Sequence, residues 1–159
     1  RHIASRIAPR RMQRIGVAIE HVEGDADILS AAVGMARQNE ASLTLIHVTE
    51  APSAIVQGSD TEPRHSREDR AYLEELAREI EGRDLPVDIC HRTGQPAREL
   101  VLAVRELRLD LLVCGSHGHR GIEDLIHGQT VDTVRHALDI PMLIVRIAHP
   151  QGERPQKSR

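Results

Sequence analysis

With 159 residues, the chain is long enough for one domain with a buried core, and 40% of it is hydrophobic. The core must be aliphatic: there is no Phe, no Trp and one Tyr, which argues against the aromatic platforms on which single-stranded nucleic acids stack. The net charge is −3, with +5 in residues 1–14 and +2 in residues 151–159, so residues 15–150 carry −10, a poor balance for binding nucleic acid.

In chain order, residues 1–12 read as a basic linker or N-terminal extension, residues 13–148 as the domain, and residues 149–159 as a disordered tail. Within the domain, "RIGVAIE" (Arg14 to Glu20) is a β-branched run that predicts a strand. A polar turn follows, and Asp25 or Asp27 is expected to cap a helix carrying Ile28, Ala32, Val33 and Ala36 on one face. "SLTLIHV" (Ser42 to Val48) is the second strand, and residues 50–64, rich in Pro, Ser, Gly and Asp, read as a mobile loop. In "HSREDRAYLEELAREIEG", Tyr72, Leu73, Leu76, Ala77 and Ile80 fall at helical spacing, and the acids read as a solvated face.

"LPVDICH" predicts a third strand, and Gly94 turns the chain into a helix from Pro96 to Arg108, striped by Ala97, Leu100, Val101, Val104 and Leu107. "DLLVCG" is an apolar fourth strand, expected to be buried on both faces. Val131, Val134, Ala137 and Leu138 mark the last helix, and Pro141 opens the last strand, "PMLIVRI". This alternation predicts a parallel sheet with helices on both faces, and a ligand site beyond the carboxyl ends of the strands where their order reverses. Cys90 and Cys114 read as small core residues in a reducing compartment, and His47 and His91 as structural histidines. No run approaches the roughly 18 apolar residues of a membrane span, and no signal-peptide pattern is visible.

Between the fourth strand and the last helix stands "GSHGHRGIEDLIHGQTVD". Gly115, Gly118 and Gly128 have the spacing G-x-x-G-x9-G, with Gly128 where the helix begins. Such a turn lets backbone N–H groups approach an anion, and a helix N-terminus adds partial positive charge. The segment is not a P-loop, since no Gly-Lys-Ser/Thr follows. Arg120 is either the cation that reaches a phosphate or an exposed loop residue. His117, His119 and His127 raise a metal-binding alternative, although no further ligand stands at a diagnostic spacing. No nucleophile elbow and no acid–base set emerges, so catalysis has little support beyond slow ATP hydrolysis.

The stretch "DLLVCGSHGHRGIEDLIHGQTVDTVRHALDIPMLIVR" resembles the C-terminal signature of the universal stress protein family, and the likeness extends over roughly residues 13–147. The resemblance implies a doubly wound α/β domain, a five-stranded parallel sheet of order 3-2-1-4-5, paired into a homodimer through the last strand, Met142 to Ile147. Many members bind ATP, others do not, and some bind cyclic nucleotides or cyclic dinucleotides; for this chain the expectation is ATP or another adenine nucleotide, magnesium with it. By matching positions, Ala18, Ile19, Glu20 and Val48 would hold the adenosine. Gly115, Gly118, Gly128, Gln129 and Thr130 would cradle ribose and phosphates, and His117 and Arg120 are candidate site residues in the same loop. Two positions depart from the family pattern: Glu20 stands where Asp is usual, and Gln129 where Ser or Thr is usual. Gln129 either donates to phosphate or fills the pocket, and the second outcome would leave a nucleotide-free dimerisation and docking module.

Universal stress domains are also found on the cytoplasmic ends of transporters, including divalent metal-ion transporters of the natural-resistance macrophage type. The basic "RIAPRR" resembles such a junction, and the expected location is cytoplasmic, either free-standing or as the cytosolic domain of a membrane protein.

Overall fold

The computed structural model describes residues 3–50, 64–81, 85–116 and 129–147. Residues 51–63 of the predicted loop, the tail and most of the glycine segment lie outside the described residues, while Glu50 ends a strand and Arg64 begins a helix. A 3-10 turn (Ile3–Arg6) precedes β1 (Arg14–Ala18), α1 (Asp25–Gln38), β2 (Ser42–Glu50), α2 (Arg64–Glu81) and β3 (Val87–Gly94). Then come α3 (Pro96–Glu106), β4 (Leu111–Gly115), α4 (Gln129–Ala137) and β5 (Met142–Val145). All strand pairs are parallel and the order is β3-β2-β1-β4-β5, as expected.

Each strand is explained by what its alternate residues meet. On one face, Ile15, Val17, Leu43, Leu45 and Val113 are fully buried beneath Ile28, Ala32 and Ala36 of α1 and Leu73, Ala77 and Ile80 of α2. On the other, Ile46 and Leu112 lie beneath Ala97, Val101 and Val104 of α3 and Val134 of α4. Two aliphatic layers thus enclose the sheet, and Leu111 to Cys114 are all buried, as their unbroken apolar run predicted. Gly16 has a steric reason to be glycine, since a Cβ there would collide with the Leu109 side chain.

Helix α3 starts as its sequence suggests. Gly94 takes φ 150°, Pro96 opens the helix, and the Gln95 side chain accepts from the Arg98 N–H at 2.6 Å. The start of α1 differs from expectation. Neither Asp25 nor Asp27 caps it; the cap position is Gly24, which makes no side-chain bond. Asp25 is instead the first helical residue, 1% exposed, and its carboxylate serves the preceding turn. Among the described residues no helix is long and apolar enough to cross a membrane.

Candidate functional site

Helices in a parallel sheet run against the strands, so the N-termini of α1, α2 and α4 lie at the strands' carboxyl ends. The strand order reverses between β1 and β4, where the chain leaves β1 toward β2 on one side and β4 toward β5 on the other. Above this point Ile19 N–H donates to the Ile46 carbonyl at 2.8 Å, and Ser116 N–H to the Val145 carbonyl at 2.9 Å. The two backbones therefore diverge, each bound to its outer neighbour. Carrying on the register in which Val17 pairs with Val113 brings Glu20 level with Ser116.

Two polar groups at this divergence lack a partner among the described residues. The Ser116 hydroxyl oxygen is buried and makes no hydrogen bond. Glu20 is half-buried, and burial, followed by the nearby charge of Asp25, pushes its carboxyl up to about 7. Cys114 responds to the same surroundings, its thiol being pushed up to about 11 by burial and then by Glu20. By contrast, Asp25 is fully engaged. Glu20 N–H donates to Oδ1 at 3.0 Å, and Val22 N–H and the Tyr72 hydroxyl donate to Oδ2, each at 2.9 Å. Three donors on one carboxylate suit its anion and fix the turn that carries Glu20. Burial and the neighbouring Asp25 charge raise the Tyr72 phenol well above its ordinary value, so it stays a donor.

A second polar cluster lies on the α2 face. His21 Nδ1 is 2.8 Å from Asp69 Oδ1, while His47 Nε2 and the Thr49 hydroxyl reach Oδ2 at 3.0 and 2.8 Å. His91 Nε2 is 2.8 Å from the Thr49 oxygen, which donates its own proton to Asp69, so His91 donates to Thr49. His47 Nδ1 lies 2.6 Å from the Ile19 carbonyl. Both ring nitrogens of His47 thus face acceptors. Burial pushes the Asp69 carboxyl up, but hydrogen bonds from His21 and Thr49 and the charge and hydrogen bond of His47 outweigh it, holding the group below the ordinary aspartate range. His21 takes φ 62°, an uncommon conformation for a side-chain-bearing residue, secured by Asp69 and by stacking on Tyr72 at 4.0 Å.

Of the residues expected at the site, Ala18, Ile19, Glu20, Val48 and Gly115 meet at the carboxyl ends of β1, β2 and β4, and Gln129 and Thr130 open α4. His117, Gly118, Arg120 and Gly128 lie outside the described residues, as do His119 and His127 of the metal alternative. Among the described residues no group of three or more His, Cys, Asp or Glu is arranged to hold a metal ion. Gly115 has a packing reason to be glycine. A Cβ there would stand 2.8 Å from Ile147 Cδ1 and 3.0 Å from Ile28 Cδ1.

Sequence reasoning missed Asp25, Asp69 and Ser116. Asp69 corrects the reading of the α2 acids as a solvated face, because its side chain is only 14% exposed and faces the sheet. The available signal was its helical phase: Asp69 precedes Tyr72 and Leu73 by three and four residues, which places it on their face. Ser116 carried no comparable signal.

Residues 12–146 match the model of the universal stress protein family. The chain is similar to universal stress protein YxiE of Bacillus subtilis, with 27% identity over 144 residues, 82% of this chain and 96% of that one. Its fold is similar to that of a universal stress protein solved in complex with cAMP, at TM-score 0.66 and 20% identity, covering 87% of this chain and 100% of that one. It is also similar to a universal stress protein from Archaeoglobus fulgidus in complex with dAMP, at TM-score 0.63 and 16% identity, covering 86% and 99%.

Proposed function

This chain belongs to the universal stress protein family, and from that premise we propose that it binds an adenine nucleotide in the crevice between the ends of β1 and β4. The observation that carries the reading is the pair of unpartnered polar groups there. A buried hydroxyl without a hydrogen bond costs about 1–3 kcal/mol, which a ligand group bonded to Ser116 would offset. The cAMP and dAMP complexes of structurally similar proteins support the adenine nucleotide as that ligand. In this reading Ala18, Ile19, Glu20 and Val48 hold the adenosine. Gly115, Gly118, Gly128, Gln129 and Thr130 form the ribose and phosphate cradle, with His117 and Arg120 beside it. In this reading the domain senses the nucleotide rather than turning it over.

The experiment is calorimetric titration of the purified domain with ATP, cAMP and cyclic di-AMP, with Gly118→Val as control. Saturable binding of one of them, weakened roughly 30-fold or more in the variant, is the expected result. Flat traces for all three would overturn the reading in favour of a nucleotide-free docking module.

Two further parts of the proposal rest on surface features. Strand β5 occupies a sheet edge and exposes 43% of Ile144, which supports a homodimer through Met142 to Ile147. Sedimentation showing only monomer at micromolar concentration would contradict that. The five Arg in residues 1–14, against a body of −10, support attachment to a membrane transporter in the cytoplasm. Reading the gene upstream of Arg1 for apolar spans tests it.

A further inference from the structure

The two carboxyl groups at the head of the crevice are unequal. Asp25 receives the Glu20 and Val22 N–H groups and the Tyr72 hydroxyl, so every strong interaction it makes favours its anion. Glu20 receives no hydrogen bond from the described residues, although its own N–H is one of those that hold Asp25. Of the two, Glu20 is the group free to take a proton.

The charged and titratable groups near Glu20 offer the carboxylate little relief. Asp25, at the start of α1, pushes the Glu20 carboxyl up, and the Cys114 thiol on β4 is itself pushed up by burial and then by Glu20. On the β2 side the His47 ring is committed to the Ile19 carbonyl and to Asp69, and His21, next to Glu20 in the chain, is committed to Asp69. Lysine occurs only at Lys157 in the whole chain. Without a ligand, Glu20 is already held up to about 7. A nucleotide settling over the crevice would strip its remaining water and bring phosphate charge closer, and both effects favour the neutral acid. The neutral acid can also donate its O–H to a ring nitrogen or ribose oxygen, which the carboxylate cannot.

We propose that binding of an anionic nucleotide at this site is coupled to uptake of one proton by Glu20, so that the domain reads pH together with nucleotide. The coupling rests on the nucleotide-binding reading above and adds a sign to it. Affinity is highest where Glu20 is already protonated and declines as pH rises beyond that range, approaching tenfold per pH unit where only the bound form holds the proton.

The test uses cAMP, whose phosphodiester and base do not titrate between pH 5.5 and 8.5. Calorimetry at pH 5.5, 7 and 8.5, in buffers of different ionisation enthalpy, gives both affinity and protons exchanged. Wild type is expected to take up almost no proton at pH 5.5 and a fraction rising toward one at pH 8, with affinity falling in step. Glu20→Gln, whatever its affinity, is expected to lose both the pH slope and the uptake. Binding without uptake, proton release on binding, or a slope that persists in Glu20→Gln would overturn the coupling and leave the nucleotide site standing. Absence of binding to both proteins at every pH, with ATP and cyclic di-AMP also inert, would remove the site itself and the coupling with it. A second measurement needs no ligand. Thermal stability of the wild-type protein should fall from pH 5 to pH 8 relative to Glu20→Gln, and identical profiles would overturn the assignment of the proton to Glu20.

Discussion

The cluster on the α2 face and the crevice at the ends of β1 and β4 lie a few residues apart along the chain, yet they treat polar groups in opposite ways. Around Asp69, three side chains from β2 and the turn after β1 converge on one carboxylate, and His91 of β3 joins through Thr49. In the crevice, Glu20 beyond the end of β1 and Ser116 beyond the end of β4 have no described side-chain partner. Polar groups inside a fold are expected to be bonded. The saturated cluster is therefore architecture, holding α2 to the sheet, whereas the unsaturated pair is what a ligand is needed to complete. Asp25 belongs to both regions, because it ties Tyr72 of α2 to the turn that presents Glu20.

The largest effect should come from breaking the saturated side. Asp69→Ala leaves His21, His47 and Thr49 without their shared acceptor and should cost about 3 kcal/mol in urea unfolding at neutral pH. Because Asp69 ionises below the ordinary aspartate value when folded, its contribution is complete above about pH 4. It should then disappear as the pH falls through the depressed value. A loss below about 1 kcal/mol would mean that the cluster does not hold α2.

Tyr72→Phe should have a middling effect. It keeps the stack on His21 but removes one of three donors to Asp25, for an expected loss of about 1–1.5 kcal/mol. It should also weaken cAMP binding if the turn carrying Glu20 loosens, and a stability loss with unchanged affinity would separate the two regions.

Ser116→Ala should show the smallest change in stability and the clearest contrast. Removing a buried hydroxyl that bonds to nothing should stabilise the free protein, by about 1 kcal/mol. Nucleotide affinity should nonetheless fall about 3- to 10-fold. A destabilised free protein with full affinity would reverse the argument.

The strands and helices were legible because they depend on local signals that agree. Apolar runs such as Leu111 to Cys114 and the stripe of α3 each had a single good placement, and the family resemblance supplied the order in which they pair. The position of the crevice followed from the same alternation. Its internal chemistry was less legible. Asp25 looked like a helix cap because caps are the commonest use of Asp before an apolar stripe, and only the folded turn shows its oxygens pointing back at Glu20 and Val22. Asp69 was hidden among exposed acids of α2, since its partners Thr49 and His21 stand 20 and 48 residues earlier in the chain. Ser116 is an ordinary serine until β5 takes its N–H and leaves its hydroxyl enclosed.

The most direct test of the central claim is residue-resolved NMR during titration with cAMP. Nucleotide in the crevice predicts saturable amide shifts that are largest at Ile19, Glu20, Gly115 and Ser116, with Thr49, Asp69 and His91 moving little. Saturable shifts centred on Asp69 and His91, or no saturable shift at Glu20 and Ser116 with any adenine nucleotide, would contradict the account.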